Sequence, residues 1–321
     1  MKSSGYISGL SLIGLIQVGC IFITIFSLAS FFDQFHWIIE LLTHFKVQYF
    51  LLSLFFSVIF ILFKNKKFAL ISIFTVLINF SGIAPAYISN KPLISKSSKP
   101  VIKLISYNVL SSNTQYSQLI DQIQKEQADI ILLQEVNKTW LDNLSPLKSV
   151  YHFQINTPRY DNFGMALWSK FPITDQKVHK WGKFNIPSIE AKLQFHDTEF
   201  FLIATHPLPP VSKELSIDRN NQLLKLTSRV KLLNGPMIVM GDLNITHWSS
   251  HYQLLESETG LKNVRKGFGV IPTWPTNMLP LMIPIDHCLV SEHFQVIDVN
   301  SGEKFGSDHL PLIIELSFNG K

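Results

Sequence analysis

Polar residues close, open or precede six short apolar runs in the last two-thirds of the chain. Asn108 follows Val101 to Tyr107, Glu135 ends the run from Asp129 to Gln134, and His206 follows Phe200 to Thr205. Asp242 and Asn244 follow Met237 to Met240, Asp286 sits at the start of the run to Val290, and Asp308-His309 precedes Leu312 to Phe318. An apolar strand that delivers a carboxylate, amide or imidazole at its tip is how a sheet builds a rigid polar pocket. Carboxylate and amide oxygens suit a hard divalent cation, and imidazoles exchange protons near neutral pH. Cysteine ligation of zinc is absent from the set. Taken singly, each residue has a structural explanation: Asn108 and Asn244 as turn formers, Asp308 as a cap, His206 as a partly buried loop histidine. Their recurrence at six strand tips is what points to a shared site.

The elements that must present these groups are short. Strands are expected at Val101 to Tyr107, Asp129 to Gln134, Gly164 to Ser169, Phe200 to Thr205, Met237 to Met240, Ile285 to Val290 and Leu312 to Phe318. Tyr116, Leu119, Ile120 and Ile123 share one helical face. About 220 residues with this many strands suffice for one α/β domain with an ample core.

The first hundred residues have a different texture. Three apolar stretches, Ile7 to Phe32, Val47 to Phe63 and Phe68 to Ile88, approach the roughly 20 helical residues needed to span hydrocarbon, the second being the shortest. The expected organisation is a three-span transmembrane region (1–88), a Pro- and Ser-containing linker (89–100) and a catalytic domain (101–321). Only 16% of the chain is charged, which excludes a disordered chain and fits membrane segments. Residues 1–100 hold 8 Lys/Arg against 2 Asp/Glu, and residues 101–321 hold 20 against 21, so the net charge of +5 belongs to the first third. A near-neutral second part lacks the cationic surface that tracking a phosphate backbone favours. The cluster Lys64-Asn65-Lys66-Lys67 is expected on the cytoplasmic side, which puts the catalytic domain in the periplasm or outside the cell, with the chain a multi-pass protein of the cytoplasmic (inner) membrane. Cys20 and Cys288 are too few for a disulfide framework.

The segments Ser106-Tyr107-Asn108, Leu133-Gln134-Glu135-Val136, Gly164 to Ile173, Thr205-His206, Gly241-Asp242-Leu243-Asn244, Pro284-Ile285-Asp286-His287 and Ser307-Asp308-His309-Leu310-Pro311 occur in a telling order. Together they resemble the endonuclease/exonuclease/phosphatase superfamily over residues 101 to 318. The resemblance implies a four-layer α/β sandwich, with two packed sheets flanked by helices. His206-Pro207-Leu208-Pro209-Pro210, Arg219 to Leu223 and Thr273-Trp274-Pro275 are similar to a bacterial subgroup with N-terminal membrane spans.

The resemblance further implies hydrolysis of phosphodiesters or phosphomonoesters by in-line attack of an activated water. Mg²⁺, with Mn²⁺ as a substitute, would be held by Asn108, Glu135 and Asp308. Asp242 would position or deprotonate the water, Asn244 hold a phosphate oxygen, His309 contact the phosphoryl group with Asp286 orienting it, and His206 serve the phosphate or the leaving oxygen. Asn162, with Arg159 beside it, Arg219 and Trp274 are the expected substrate contacts, and Trp248 and Phe268 lie on loops nearby. The expected partners are the lipid bilayer and a phosphate ester borne by a lipid headgroup, an envelope component or nucleic acid. An endonuclease acting on DNA or RNA is the first alternative. A non-catalytic binding module with this fold is the second.

Overall fold

The computed structural model describes residues 11–88 and 100–318, and within the chain two compact units separate, Met1–Ala84 and Pro85–Lys321. The expected linker lies outside the described residues except for Pro100, as do the first residues of the first apolar stretch.

The first unit is helical. α1 (Leu12–Ala29) begins where the Ser11 hydroxyl accepts the Gly14 N–H at 3.2 Å, and a 3-10 turn prolongs it to Phe35. Then come α2 (Trp37–Thr43), α3 (Lys46–Leu62) and α4 (Lys66–Ile83), the last capped by the Asn65 side chain. Among the described residues two helical stretches are long and apolar enough to cross a membrane, Leu12–Phe35 and Lys66–Ala86. The second expected span differs in shape: α2 and α3 meet at 63°, so the count becomes three only if that bent pair is one span. The segment joining α1 to α3 is itself largely helical. Asp33, Glu40 and Lys46 are buried there, with Lys46 Nζ donating to Ser30 Oγ at 3.2 Å, because charges sheltered from water need polar partners.

The second unit holds two six-stranded sheets. The first has β1 (Val101–Asn108), β2 (Ile130–Gln134), β3 (Phe153–Thr157), β4 (Met165–Ser169), β11 (Phe294–Ser301) and β12 (Leu312–Phe318), in the order β11-β12-β1-β2-β4-β3. The second has β5 (Ile173–Trp181), β6 (Ile186–Phe195), β7 (Thr198–Thr205), β8 (Met237–Asp242), β9 (Lys262–Asn263) and β10 (Asp286–Val290), in the order β5-β6-β7-β8-β10-β9. Alternation along each strand builds the layers. Leu104, Leu132 and Leu167 of one sheet meet Leu202, Ile238 and Met240 of the other in a shared core. Their neighbours Ile105, Leu133 and Trp168 turn outward onto α5 (Tyr116–Glu126) and α6 (Lys138–Asn143). On the other side Ile203, Val239 and Leu289 pack on α7 (Lys213–Leu232) and α8 (Ser250–Thr259). The result is the expected four-layer α/β sandwich.

β1 and β2 run parallel, as do β7 and β8, and the polar residues at their C-terminal ends gather at one end of the sandwich. Antiparallel β10 enters the same region from its N-terminal end, which sets Asp286 directly opposite Asp242.

Candidate active site

Asp242 is the centre of the site. The chain reaches it through Gly241, whose φ of +143° and tight packing leave no room for a side chain: a Cβ there would lie 2.0 Å from the Thr205 carbonyl oxygen. After Asp242 the chain turns at Asn244, at φ +51°, with the Asn244 N–H donating to Asp242 Oδ1 at 2.8 Å. Glu135 also has a left-handed backbone, φ +62°, at the tip of β2. Non-glycine residues held in that region cost roughly 1 kcal/mol or more, and such strain concentrates where side-chain direction matters more than local stability.

Around Asp242, which is 1% exposed, stand Asn108, His206 and His309. Asn108 Nδ2 donates to Glu135 Oε1 at 3.0 Å and to Asp242 Oδ2 at 3.3 Å, bridging two carboxylates. His206 Nε2 lies 3.5 Å and His309 Nε2 3.7 Å from Asp242 Oδ2. On its other nitrogen His309 bonds Asp286 Oδ2 at 2.9 Å. Ser307 locks the segment, its hydroxyl donating to the Asn108 carbonyl at 2.7 Å and accepting the His309 N–H at 3.1 Å.

These contacts set the charges. Burial by itself would raise the Asp242 pKa, but the His309 charge and the His206 hydrogen bond outweigh it and hold the carboxyl down at about 2. Burial would lower that of His309, but Asp286 and Asp242 carry it up to about 9. His206 follows the same pattern, raised against its burial by Asp242 and Glu135. At neutral pH the pocket therefore contains an ionised Asp242 beside a protonated His309, with His206 Nε2 3.5 Å from the same carboxylate.

Acidic side chains, Glu135, Asp242, Asp286 and nearby Asp308, outnumber the imidazoles of His206 and His309 in this buried pocket. An anionic phosphate ester enters such a place only with a cation to offset it, and an oxygen-rich donor set suits a hard divalent one. Among the described residues Asp286 Oδ1 and Asp308 Oδ1 are buried with no hydrogen-bond partner, which adds unused acceptor capacity. The residues fit a divalent metal.

The expected ligands are placed unequally. Asn108 and Glu135 are in the pocket, with Glu135 Oε2 accepting the Ser111 N–H at 3.1 Å. Asp308 turns toward the rim, where its Oδ2 accepts from Trp274 Nε1 at 2.9 Å. The carboxylate and imidazole atoms that converge within 4.8 Å of one another belong instead to Asp242, Asp286 and His309, residues assigned on sequence to water, orientation and phosphoryl contact.

Substrate contacts divide as well. Asn162 is at the mouth, its Oδ1 accepting from the Ser111 hydroxyl at 2.7 Å, so it shares a support with Glu135. Trp274 is half-buried, its ring centroid 6.3 Å from that of His309. Arg219 requires correction. It is 0% exposed, and its Nη1 donates to the Asn244 carbonyl at 2.9 Å while Nε donates to Asn220 Oδ1 at 2.7 Å. A guanidinium inside the helix-sheet layer cannot meet a phosphate in the cleft; it braces the Asn244 turn from behind. Arg159 is engaged in a fork onto Asp161. Asn244 Nδ2 donates to the Pro207 carbonyl at 2.9 Å, which ties the His206 loop to the Asp242 loop.

Other contributors were not singled out from sequence. Ser111 follows a turn with no motif of its own. Phe163 packs its ring 5.3 Å from His206. Arg265 is 1% exposed behind the site, with Nη1 3.5 Å from His287 Nδ1. His287 is buried and held neutral by burial and by Arg265, and its Nε2 donates to the Ile245 carbonyl at 2.7 Å.

Residues 105–309 match the endonuclease/exonuclease/phosphatase family. The chain belongs to that family. It is accordingly a metal-dependent hydrolase of phosphate esters. No curated protein matches it by sequence. Among solved structures it is similar to a family protein from Bacteroides vulgatus, with 17% identity, a TM-score of 0.58, and coverage of 69% of this chain and all of that one. The catalytic domain of human nocturnin, solved with bound sulfate, is 21% identical with a TM-score of 0.57, covering 70% and 97%. TDP2 of D. rerio, solved with a single-strand DNA product, is 16% identical with a TM-score of 0.57, covering 68% and 99%. At these identities the likeness is one of fold.

Proposed function

We propose that this chain is a membrane-anchored, Mg²⁺-dependent phosphoesterase that hydrolyses phosphodiester bonds by in-line attack of water, in the bacterial, membrane-anchored branch of the family. The observation that carries the reading is the ionised Asp242 held between His206 and a protonated His309, 3.5 and 3.7 Å away, in a pocket where acidic side chains outnumber imidazoles. Mg²⁺, or Mn²⁺ in its place, would supply the positive charge that lets the phosphate enter, with Asn108 and Glu135 as its holders and Asp308 beside them. With its pKa near 2, Asp242 is a weak base and serves to aim the attacking water. His309, kept protonated and oriented by Asp286, offers Nε2–H to a non-bridging phosphate oxygen, where negative charge grows in the transition state. His206, its pKa raised against its burial by Asp242 and Glu135, is the donor for the leaving oxygen. Asn244 completes the cradle, and Asn162 and Trp274 line its mouth.

Anchoring rests on the apolar helices Leu12–Phe35 and Lys66–Ala86, and the lysines between α3 and α4 favour a periplasmic or extracellular catalytic unit. The balance of 20 Lys/Arg against 21 Asp/Glu in residues 101–321 favours a lipid-linked or small diester over duplex nucleic acid.

The test is hydrolysis of bis-p-nitrophenyl phosphate by the purified chain, expected to need Mg²⁺ or Mn²⁺ and to stop with EDTA. Plasmid DNA and phospholipids serve as competing substrates. Absence of turnover on all three would leave a binding module, and DNA cleavage alone would make it a nuclease. A C-terminal alkaline-phosphatase fusion should be active; an inactive fusion beside an active cytoplasmic reporter reverses the orientation.

A further inference from the structure

The nineteen residues from Gly267 to Ile285 carry no charged or histidine side chain, although much of this segment is at the surface. Its neck is fixed. The Trp274 and Ile283 backbones bridge, the Thr273 N–H donates to the Ile283 carbonyl at 3.1 Å, and Trp274 stands beside His309. Its tip is apolar and open to solvent, with Met278 50%, Leu279 73% and Leu281 42% exposed. At its base Phe268 is 37% exposed. Exposed leucine and methionine at the tip of a loop whose neck touches the reacting groups are unfavourable in water and mark a contact surface.

What covers that surface follows from where the chain comes from. Ala86 ends the apolar stretch Lys66–Ala86, and its carbonyl accepts N–H groups from both Gly267 and Gly269 at 2.9 Å. The next residues, Tyr87 and Ile88, are 63% and 61% exposed, and Tyr87 lies against Gly269, where a Cβ would come within 3.0 Å of its ring. The loop thus begins at the chain that leaves the candidate span, with exposed Tyr87 against Gly269 and the half-exposed Phe268 next to it in sequence. An aromatic at a span end beside aliphatic side chains and no charge is the composition of the headgroup boundary.

We propose that the loop from Gly267 to Ile285 is a membrane-contact rim: Met278, Leu279 and Leu281 enter the outer part of the bilayer beside the active site, whose substrate is a phosphate ester carried on a lipid. This rests on the phosphoesterase reading above and narrows its substrate class. A soluble ester would still reach the pocket, whereas a lipid-borne one would be presented by the surface in which the rim sits.

The experiment uses the full chain in phosphatidylcholine/phosphatidylglycerol vesicles. Both native cysteines are buried, so a single environment-sensitive fluorophore can be placed through Leu279→Cys. The control is Asp197→Cys, in the turn before β7 and about 30 Å along that strand from His206. Acyl-chain-brominated lipid is expected to quench the label at 279 several-fold more than that at 197. Equal quenching overturns the proposal. In parallel, the variant Met278→Ser/Leu279→Ser/Leu281→Ser should keep bis-p-nitrophenyl phosphate turnover within twofold and lose tenfold or more on phospholipid in vesicles. Equal loss on both substrates, or on neither, also overturns it. If wild type hydrolyses no ester while the label at 279 is quenched, the phosphoesterase reading fails and the membrane contact of the rim stands.

Discussion

In the first unit Leu15, Phe22 and Ile25 point outward, each about half exposed, while Ser27, Ser57, Ser72 and Asn79 are buried. In the second unit the arrangement is reversed, with Leu104, Leu132, Leu202 and Ile238 at 0% exposure between two sheets. The first unit's interior is held by hydroxyl and amide contacts: Thr24 with Thr75 at 2.9 Å, Ser57 with Ser72 at 3.0 Å, and Asn79 with Ser27 at 2.8 Å. Hydrogen bonds and small residues bring helices together where the surroundings are as apolar as leucine, and burial of leucine does so where the surroundings are water. The comparison teaches that one chain carries two opposite arrangements, the first being the one that helices crossing a membrane would need.

The strongest way to break this comparison is to charge the outer face of α1. Leu15→Asp with Phe22→Asp and Ile25→Asp should cost about 2.5–3.5 kcal/mol per charge near a span centre and move the chain from the carbonate-resistant membrane pellet to the supernatant. Retention in the pellet would remove the hydrocarbon reading of the first unit.

Next in size is the polar cluster. His309→Ala or Asp242→Ala should each lower metal-dependent turnover by about 10³-fold, roughly 4 kcal/mol, with the far-ultraviolet circular dichroism unchanged. Near-normal hydrolysis by both variants would remove these residues from the chemistry. For the water-facing unit Leu202→Ala should cost about 3 kcal/mol of stability, measured by denaturant unfolding, because the closely packed sheets cannot collapse onto the void.

The same cluster sharpens the comparison through pH. Asp242, depressed from 3.8 to about 2, contributes stability that is full above the unfolded value and lost as pH falls through 2. His309, raised from 6.5 to about 9, contributes stability that is full below the unfolded value and lost as pH rises through 9. Melting in EDTA should therefore plateau for this pair between about pH 4 and 6.5, with the alkaline decline reduced in His309→Ala. The smallest expected effect lies in the first unit: Asn79→Ala should cost about 0.6 kcal/mol in detergent, since the unfolded helices find other polar partners.

Much of this was legible in the chain. The helix face of Tyr116, Leu119, Ile120 and Ile123 and the strands ending in Asn108, Gln134, Thr205 and Asp242 follow from local periodicity. β5 and β6 were missed for opposite reasons. β5 is a sheet-edge strand with mostly polar residues and little burial, so it lacks an apolar signal. β6 is almost wholly buried yet contains Glu190, an unusual core residue. Glu190 is tolerated because Arg229 forks onto it from α7 at 2.7 Å through both nitrogens, which with His179 holds its pKa below the usual range. Arg219 was misjudged for a related reason: a charged residue on a polar helix looks exposed until its partner, the Asn244 carbonyl 25 residues away, is in place.

By itself the sequence determined where polar groups sit at strand ends and how long each apolar run is, because both depend on neighbours a few residues apart. Tertiary structure alone decided which of those groups touch. Asp242 and Asp286 face each other through strand register, and Asn108 reaches Asp242 across 134 positions. Protonation states, and with them the division of roles among carboxylates and imidazoles, depend on distances of 3–4 Å between groups far apart in the chain.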